Sequence, residues 1–373
     1  MACVGRSLGF AVSSVLEEKY GKLSPYLSEI GSIVAAACLA HDLGNPPFGH
    51  SGEKAIATFF SEGDTDKIKS QLTESQWCDF VNFEGNANAF RLLTTQFNGR
   101  RKGCFVLTYS TLASIVKYPY ESRFVDKKKS KFGFFQSEKE SFEILADELG
   151  LIKDPKNSNR YARHPLVYLV EAADDICYQI MDIEDAFKLR LLSFEETKQI
   201  MLSFLSMERR KRANEVFSLV TDLNEQVAYL RSSVIGTLID ACAKVFVENE
   251  EKILSGEFEK SLIDNIEEDL ALVYKNTSSI AFKKVYTSQV VLDVELAGFK
   301  IIKELLETVI DAVLSPEKAY SKQILNRIPQ QYNIYSESVY EKIQAVLDFV
   351  SGTTDVYALD LYRKINGMSL PDL

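Results

Sequence analysis

The chain has 373 residues, a formal net charge of −10, 46% hydrophobic residues and 26% charged residues. These values are typical of a folded globular protein, and no stretch approaches the ~20 apolar residues of a membrane span. The negative charge argues against a broad nucleic-acid-binding surface, because phosphate contacts need a positive field. The six cysteines are far apart and form no CxxC pair, so we expect reduced thiols and a cytoplasmic protein.

The first predicted element is a helix, because apolar residues recur at helical spacing from Val4 to Leu16 with no capping residue before them. A second helix is predicted from the capping residue Ser28 to a stop just before Gly44. This helix would carry His41 and Asp42 in its last turn. A loop rich in Gly and Pro follows, and the next helix would open at residue 51 or 52.

The middle of the chain, residues 99–159, alternates short apolar pieces with turn-rich and charged runs, which indicates loops around a core. Long helical patterns resume near Pro165. Residues 282–294 are β-branched and fit either a strand pair or the start of a helix that runs to Val313. We therefore predict an all-α fold with at most a minor β-hairpin, divided into a core (1–195) and a C-terminal helical region (196–373).

The helix after Pro165 carries an unusual number of carboxylates beside its apolar stripe. At 100° per residue, one arc collects Glu171, Asp174, Asp175, Tyr178, Asp182 and Asp185. A solvated acidic face is one interpretation. The other is a shared cation, because Asp174 lies at the margin of the core stripe, where an ionised carboxylate needs a partner.

Two of the three histidines in the chain lie in the stretch AHDLGNPPFGHSGE. The adjacent His41 and Asp42 offer the nitrogen and oxygen donors that Mn, Fe, Zn or a Mg-like ion accepts, although a histidine at a helix end is commonly structural. His50 and Glu53 share a helix face. Glu53 could orient the imidazole for general acid or base catalysis, or simply favour the helix N-terminus.

Five segments in order resemble the HD-domain dGTP triphosphohydrolases, a family of deoxynucleoside triphosphate triphosphohydrolases. They are AHDLGNPPFGHSGE, NFEGNANAFRLLT, LTYSTLASIVKYP, HPLVYLVEAADDICYQIMDIEDA and SGTTDVYALDLYRKINGMSLP. The resemblance implies a helical HD-domain core and hydrolysis of a dNTP, with dGTP preferred, to a deoxynucleoside and inorganic triphosphate. It also implies a divalent ion, Mn or Mg, which binds phosphate and activates water.

The resemblance also assigns residues. His41, Asp42 and Asp174 match metal ligands, while His50 and Glu53 match the catalytic pair. Tyr178 and Asp182 match positions that contact the sugar, where a tyrosine ring would disfavour a ribose hydroxyl. Tyr109 and Lys117 are further candidates for the substrate pocket, with a core tyrosine and a surface lysine as the plain alternative.

One departure from the family pattern concerns its first metal-ligand histidine, which lies just before the segment that here starts at Ala2. We therefore expect a truncated reading frame. If the 373 residues were complete, we would expect weakened metal affinity and little triphosphohydrolase activity.

Other functions stay open. A non-catalytic nucleotide-sensing or single-stranded-DNA-binding protein could use the basic runs MERRKRAN (207–214) and DKKKSKF (126–132), although such runs are commonly solvated surface. An HD phosphohydrolase that acts on another phosphoester is a third reading. The resemblance further implies a homo-oligomer, often a hexamer, with dNTP or single-stranded DNA as possible regulators. The lack of a long apolar stretch predicts no membrane association.

Overall fold

The structure is a computed structural model. It describes residues 1–21, 25–101, 104–125, 130–286 and 289–369. Within these ranges the chain forms eighteen α-helices and one two-stranded antiparallel hairpin, which confirms the prediction of an all-α fold with a minor hairpin. None of the described helices is both long enough and apolar enough to cross a membrane.

The helices are α1 (Ala2–Tyr20), α2 (Ile30–Ala40), α3 (His50–Glu62), α4 (Asp66–Lys69), α5 (Glu74–Val81), α6 (Gly85–Thr94), α7 (Tyr109–Ile115), α8 (Lys139–Glu148), α9 (Val167–Lys188), α10 (Phe194–Ser203), α11 (Met207–Leu219), α12 (Leu223–Glu248), α13 (Glu250–Leu254), α14 (Glu268–Ala281), α15 (Gln289–Leu314), α16 (Ala319–Leu325), α17 (Val339–Ser351) and α18 (Asp355–Ile365). The strands β1 (Lys153–Asp154) and β2 (Asn157–Tyr161) pair antiparallel, with Lys153 opposite Tyr161.

Three predicted helix boundaries are corrected by the structure. Ser28 does not cap α2, because its hydroxyl donates to the carbonyl of Pro25 within a short 3-10 turn that precedes the helix. α2 ends at Ala40, so His41 and Asp42 lie in the turn just after the helix. The next helix begins one residue earlier than predicted, at His50.

The β-branched segment 282–294 is helical in its described part, so the strand pair is wrong. Phe282–Tyr286 forms a π-helical turn, and α15 begins at Gln289; residues 287–288 lie outside the described residues. The segment leads into α15, and the later residues Ile302, Leu305 and Val309 of that helix recur at helical spacing in the core.

The chain forms two compact units, each built from two chain segments. The first unit contains residues 1–39 and 164–292. Its core lies where α1, α9 and α12 pack together, with Leu8, Leu169 and Val234 fully buried. The apolar stripe predicted on α9 is buried as expected, because this face meets α1 and α12.

The second unit contains residues 40–163 and 293–373. Its core includes a run of stacked aromatic rings, in which Phe80 lies 4.9 Å from Phe60 and 5.3 Å from Tyr340, measured between ring centroids. Such offset stacks stabilise a core beyond simple area burial. The predicted boundary after residue 195 cuts the chain once, whereas each of these units combines two separate chain segments. The predicted boundary stays a prediction.

A buried ion cluster holds α6 in the second unit. The Arg91 guanidinium binds Asp348 of α17 through two hydrogen bonds of 2.8 Å, and it donates a third, of 2.6 Å, to Glu138. Such a bidentate arrangement matches the planar guanidinium to the carboxylate. The cluster therefore fixes α6 against α17 and against the segment that leads into α8.

The same unit buries a second carboxylate, Asp79, whose partners are neutral. Ser122, Tyr340 and the backbone N–H of Gln136 all donate to it. Burial nevertheless outweighs these hydrogen bonds and raises the pKa of Asp79 to about 7.

This pKa predicts a pH-dependent stability. The folded state binds the proton more tightly than the unfolded state, whose carboxyl titrates near 3.8, so the stabilising contribution is complete below about pH 4 and is lost as pH rises through about 7. Asp79→Asn cannot ionise. Its free energy of unfolding should rise relative to that of the wild type between pH 4 and 7, by at most about 1.4 kcal/mol per pH unit.

Denaturant titrations of both proteins at several pH values measure this difference. Asp64→Asn, at an exposed position, is the control and should show no such trend. A constant difference between Asp79→Asn and the wild type across this range would contradict the assignment.

Candidate functional site

The segment between α2 and α3 is held by contacts with α6. A Cβ atom on Gly44 would overlap the backbone of Gly85 and Ala89, so only glycine allows this close approach. The Asn88 side chain donates to the Gly44 carbonyl at 2.8 Å and to the Ser351 hydroxyl at 3.0 Å. α6 therefore serves as the platform on which this segment lies.

The end of the same segment turns sharply into α3. Phe48 has a φ of 65°, a left-handed conformation that is uncommon outside glycine, and Gly49 follows with a φ of 57°. The Phe48 N–H donates to the Asp355 carboxylate at 2.9 Å. This bond compensates part of the backbone strain and directs the chain so that α3 starts at His50.

His41 and Asp42 lie together in the turn after α2. His41 Nε2 is 3.1 Å from Asp42 Oδ2, and Asn45 donates to Asp42 Oδ1 at 2.9 Å. The His41 ring is mostly buried, while the Asp42 side chain is exposed. Imidazole nitrogen and carboxylate oxygen are donors that fit a divalent ion, although among the described residues no group of three or more His, Cys, Asp or Glu side chains is assembled closely enough to hold one.

His50 and Glu53 form a hydrogen-bonded pair in the first turn of α3. His50 Nδ1 lies 2.8 Å from Glu53 Oε2, and the other carboxylate oxygen, Oε1, accepts the backbone N–H of Gly85 at 2.8 Å. The Glu53 carboxylate is thus directed to the imidazole and to the start of α6. The Glu53 side chain is nearly buried, whereas that of His50 is 78% exposed.

Two further residues belong to this arrangement and were missed by the sequence analysis. Glu84 caps α6, because it accepts the N–H groups of Asn86 at 2.7 Å and Ala87 at 3.2 Å. Lys131 Nζ lies 2.6 Å from Glu84 Oε1 and 3.6 Å from Glu53 Oε2. A carboxylate just before a helix start indicates a capping residue, so the sequence could have pointed to Glu84. Nothing in the local sequence distinguishes Lys131 from the other lysines of its basic run. Asp126–Lys129, the rest of that basic run up to Ser130, lie outside the described residues.

The charges of this group act on one another. Burial raises the pKa of Glu53, but the His50 hydrogen bond and the Lys131 charge more than offset it, so the pKa of Glu53 falls below its usual value. The hydrogen bond to Glu53 raises the pKa of His50. An ionised Glu53 therefore favours the protonated imidazole, the form that can donate a proton.

His50, Glu53, Glu84 and Lys131 line one cavity within the second unit, with a volume of about 490 Å³. Other lining residues include Lys54, Thr58 and Asn82. With its Nδ1 engaged by Glu53, the exposed His50 ring presents Nε2 as the atom available to a bound molecule. The site can therefore transfer a proton at its surface while the orienting carboxylate stays nearly buried.

The remaining candidates lie on two other helices. Asp174, Tyr178 and Asp182 follow one another on one face of α9, about 6 Å apart per step along the axis. Tyr178 is 58% exposed, and both aspartates are half-buried. In the second unit, Tyr109 begins α7 and is exposed, whereas Lys117 follows that helix and is half-buried; neither lines the 490 Å³ cavity.

The His50–Glu53 hydrogen bond generates a test. Glu53→Gln removes the negative charge that stabilises the imidazolium, so the pKa of His50 should fall relative to the wild type. Histidine-selective NMR titration measures it directly, because the chain has three histidines. Glu62→Gln, exposed at the end of α3, should leave the titration unchanged. An unchanged pKa of His50 in Glu53→Gln would show that the pair is not coupled.

Comparisons with known proteins extend over the whole chain. A model of the phosphohydrolase-associated domain matches residues 265–364. The deoxyguanosinetriphosphate triphosphohydrolase-like proteins of Pseudomonas aeruginosa and Synechocystis sp. are 34% and 35% identical, over 100% and 99% of this chain and 85% of their own. The deoxyguanosinetriphosphate triphosphohydrolase of Yersinia enterocolitica is 27% identical, over 93% of this chain and 80% of its own. The chain therefore belongs to the deoxyguanosinetriphosphate triphosphohydrolase-like family.

Proposed function

We propose that this protein hydrolyses a deoxynucleoside triphosphate, with dGTP preferred, to the deoxynucleoside and inorganic triphosphate. The observation that carries this proposal is the His50–Glu53 pair, anchored on the Gly85 N–H beside a cavity, in a chain whose relatives bear that activity in their names. An imidazole of raised pKa suits protonation of the departing 5′-oxygen. The Glu53 carboxylate orients that imidazole and stabilises its charge.

We assign His41, Asp42 and Asp174 as ligands of a divalent metal ion, Mn or Mg. Support comes from the adjacent nitrogen and oxygen donors of His41 and Asp42 and from the half-buried position of Asp174 on α9. When bound, such an ion supplies Lewis-acid stabilisation of phosphate charge and lowers the pKa of a coordinated water. The exposure of the Asp42 carboxylate leaves it accessible for this role.

The proposed contacts to substrate lie on α9 and α7. Tyr178 exposes its ring one turn beyond Asp174, which suits packing against a deoxyribose, and Asp182 would accept a hydrogen bond from the 3′-hydroxyl. A close-packed ring leaves no room for a 2′-hydroxyl, so discrimination would be steric. Tyr109 and Lys117 are proposed to line the substrate pocket, with Lys117 as a partner for phosphate.

The alternative is a non-catalytic nucleotide-sensing or DNA-binding protein. The basic helix α11 gives this alternative little support, because two of its arginines already bind groups of this chain. Arg209 is engaged with Asp240 at 3.0 Å, and Arg210 donates to the backbone carbonyls of Leu202 and Leu205. These two side chains hold α11 to its neighbours and are partly withdrawn from any phosphate ligand. Homo-oligomerisation, as a hexamer, and regulation by dNTP or single-stranded DNA remain proposals from the family resemblance.

Asp174→Ala tests the metal assignment. Loss of a carboxylate ligand should weaken metal binding and abolish the metal-dependent release of inorganic triphosphate from dGTP. The measurement is triphosphate release across a Mn²⁺ titration, together with metal binding by calorimetry. Asp185→Ala, on the same helix with an exposed side chain, is the matched control and should behave as the wild type. Turnover by Asp174→Ala at the wild-type level would refute the metal mechanism.

His50→Gln tests the proton-transfer role. Loss of a positioned general acid should lower kcat by about 10²- to 10⁴-fold while dGTP binding is retained. Steady-state kinetics and equilibrium binding of dGTP give the two quantities. Bound dGTP without any triphosphate release from the wild-type protein would instead favour the nucleotide-sensing function.

A further inference from the structure

Two buried carboxylates lie side by side at the start of α6. Glu84 is 1% exposed, and the Glu53 side chain is nearly buried. Burial raises the pKa of Glu84, and repulsion by Glu53 raises it further. Such a pair is costly in a protein interior unless cations or hydrogen-bond donors compensate both charges.

The backbone supplies part of this compensation. The first N–H groups of α6 point at both carboxylates: Gly85 donates to Glu53, and Asn86 and Ala87 donate to Glu84. The helix dipole acts in the same direction. The Gly85 bond fixes Glu53 Oε1, whereas Glu53 Oε2 is the oxygen that faces His50.

Lys131 supplies positive charge beside both carboxylates. Its ammonium group contacts Glu84 Oε1 at 2.6 Å and approaches Glu53 Oε2 at 3.6 Å, the oxygen that also binds His50. The Lys131 side chain is largely withdrawn from solvent, so its attraction to both carboxylates is weakly screened. One lysine therefore ties the carboxylate of α3 to the carboxylate that caps α6.

We propose that Lys131 is the positioning residue of the His50–Glu53 pair: by bridging Glu84 and Glu53, it holds Glu53 Oε2 in place against the His50 ring. What the pair does in catalysis rests on the proposed function, but the bridge itself does not. Lys131 acts through Glu53 and has no need to touch substrate.

The bridge has a measurable electrostatic consequence. The charged groups around His50 are Glu53 on its own helix, Glu84 before α6, Lys131, and Lys54 on the wall of the same cavity. Glu53 and Glu84 favour the imidazolium, whereas the Lys131 charge opposes it. Removing that charge alone, with Glu53 still in place, would raise the pKa of His50. Release of Glu53 from the ring would instead lower it, as expected for Glu53→Gln, because the hydrogen bond to Glu53 is the largest cause of the raised pKa.

Lys131→Met tests the proposal by histidine-selective NMR on the full chain, with His50→Gln to assign the signal. We expect the His50 titration to move to lower pH, because the weakened Glu53 hydrogen bond outweighs the lost Lys131 charge, and kcat for dGTP to fall by about 10- to 100-fold with a much smaller change in KM. Lys131→Arg, which keeps the charge, should restore both. Lys131→Gln removes the charge but can still donate to Glu84, and it gives the same NMR readout should the methionine variant fail to fold.

Lys139→Met is the matched control. Lys139 forms a comparable, partly exposed ion pair with Glu121 at 2.9 Å in the same unit, but it does not line the cavity. Its loss should lower stability without moving the His50 titration. A His50 titration that stays unchanged or moves to higher pH in Lys131→Met and Lys131→Gln would overturn the proposal, because Glu53 would then have kept its place without Lys131. If the wild-type protein released no triphosphate, the proposed function would fail, and the NMR result would still decide the role of Lys131.

Discussion

The hydrogen bond from the Gly85 backbone to Glu53 is the interaction on which the candidate site depends. It joins the first residue of α6 to the first turn of α3, and it is possible only because residue 85 has no side chain. A Cβ atom there would lie 2.7 Å from Glu53 Oε1 and would overlap the Asn45 side chain. With Glu53 held in this way, His50 has a fixed partner even though its own ring is exposed.

α6 organises the second unit around this bond. Its N-terminal end receives Glu53 and Glu84, its middle holds the Gly44 turn through Asn88, and its last part is locked to α17 by Arg91. The N-terminal end of α6 therefore lies beside the cavity, and Arg91 follows about 9 Å further along the helix axis. Such support from a packed element gives a functional pair more precise geometry than a free loop could.

The buried charges of the second unit are compensated in two different ways. The Arg91 cation binds both Asp348 and Glu138 directly, whereas Asp79 relies on neutral donors and has a pKa of about 7. The Glu53–Glu84 pair combines both devices, because backbone N–H groups and Lys131 share the compensation. This difference explains why Glu53 stays ionised beside His50 while Asp79 gains a proton near neutral pH.

The sequence by itself determined the helical class, the buried stripe of α9 and the family, because helical periodicity and contiguous motifs are local properties. The sequence also places His41 beside Asp42, and it places His50 and Glu53 within one helical turn of each other. It misjudged the cap of α2, since a serine hydroxyl has competing local acceptors. It left 282–294 open, since a short β-branched run fits either a strand or a helix. Only the tertiary structure decided that Gly85 and Lys131, 32 and 78 residues beyond Glu53, complete the environment of that carboxylate. The reason is physical: the compensation of a buried charge depends on distance in space, which chain separation does not encode.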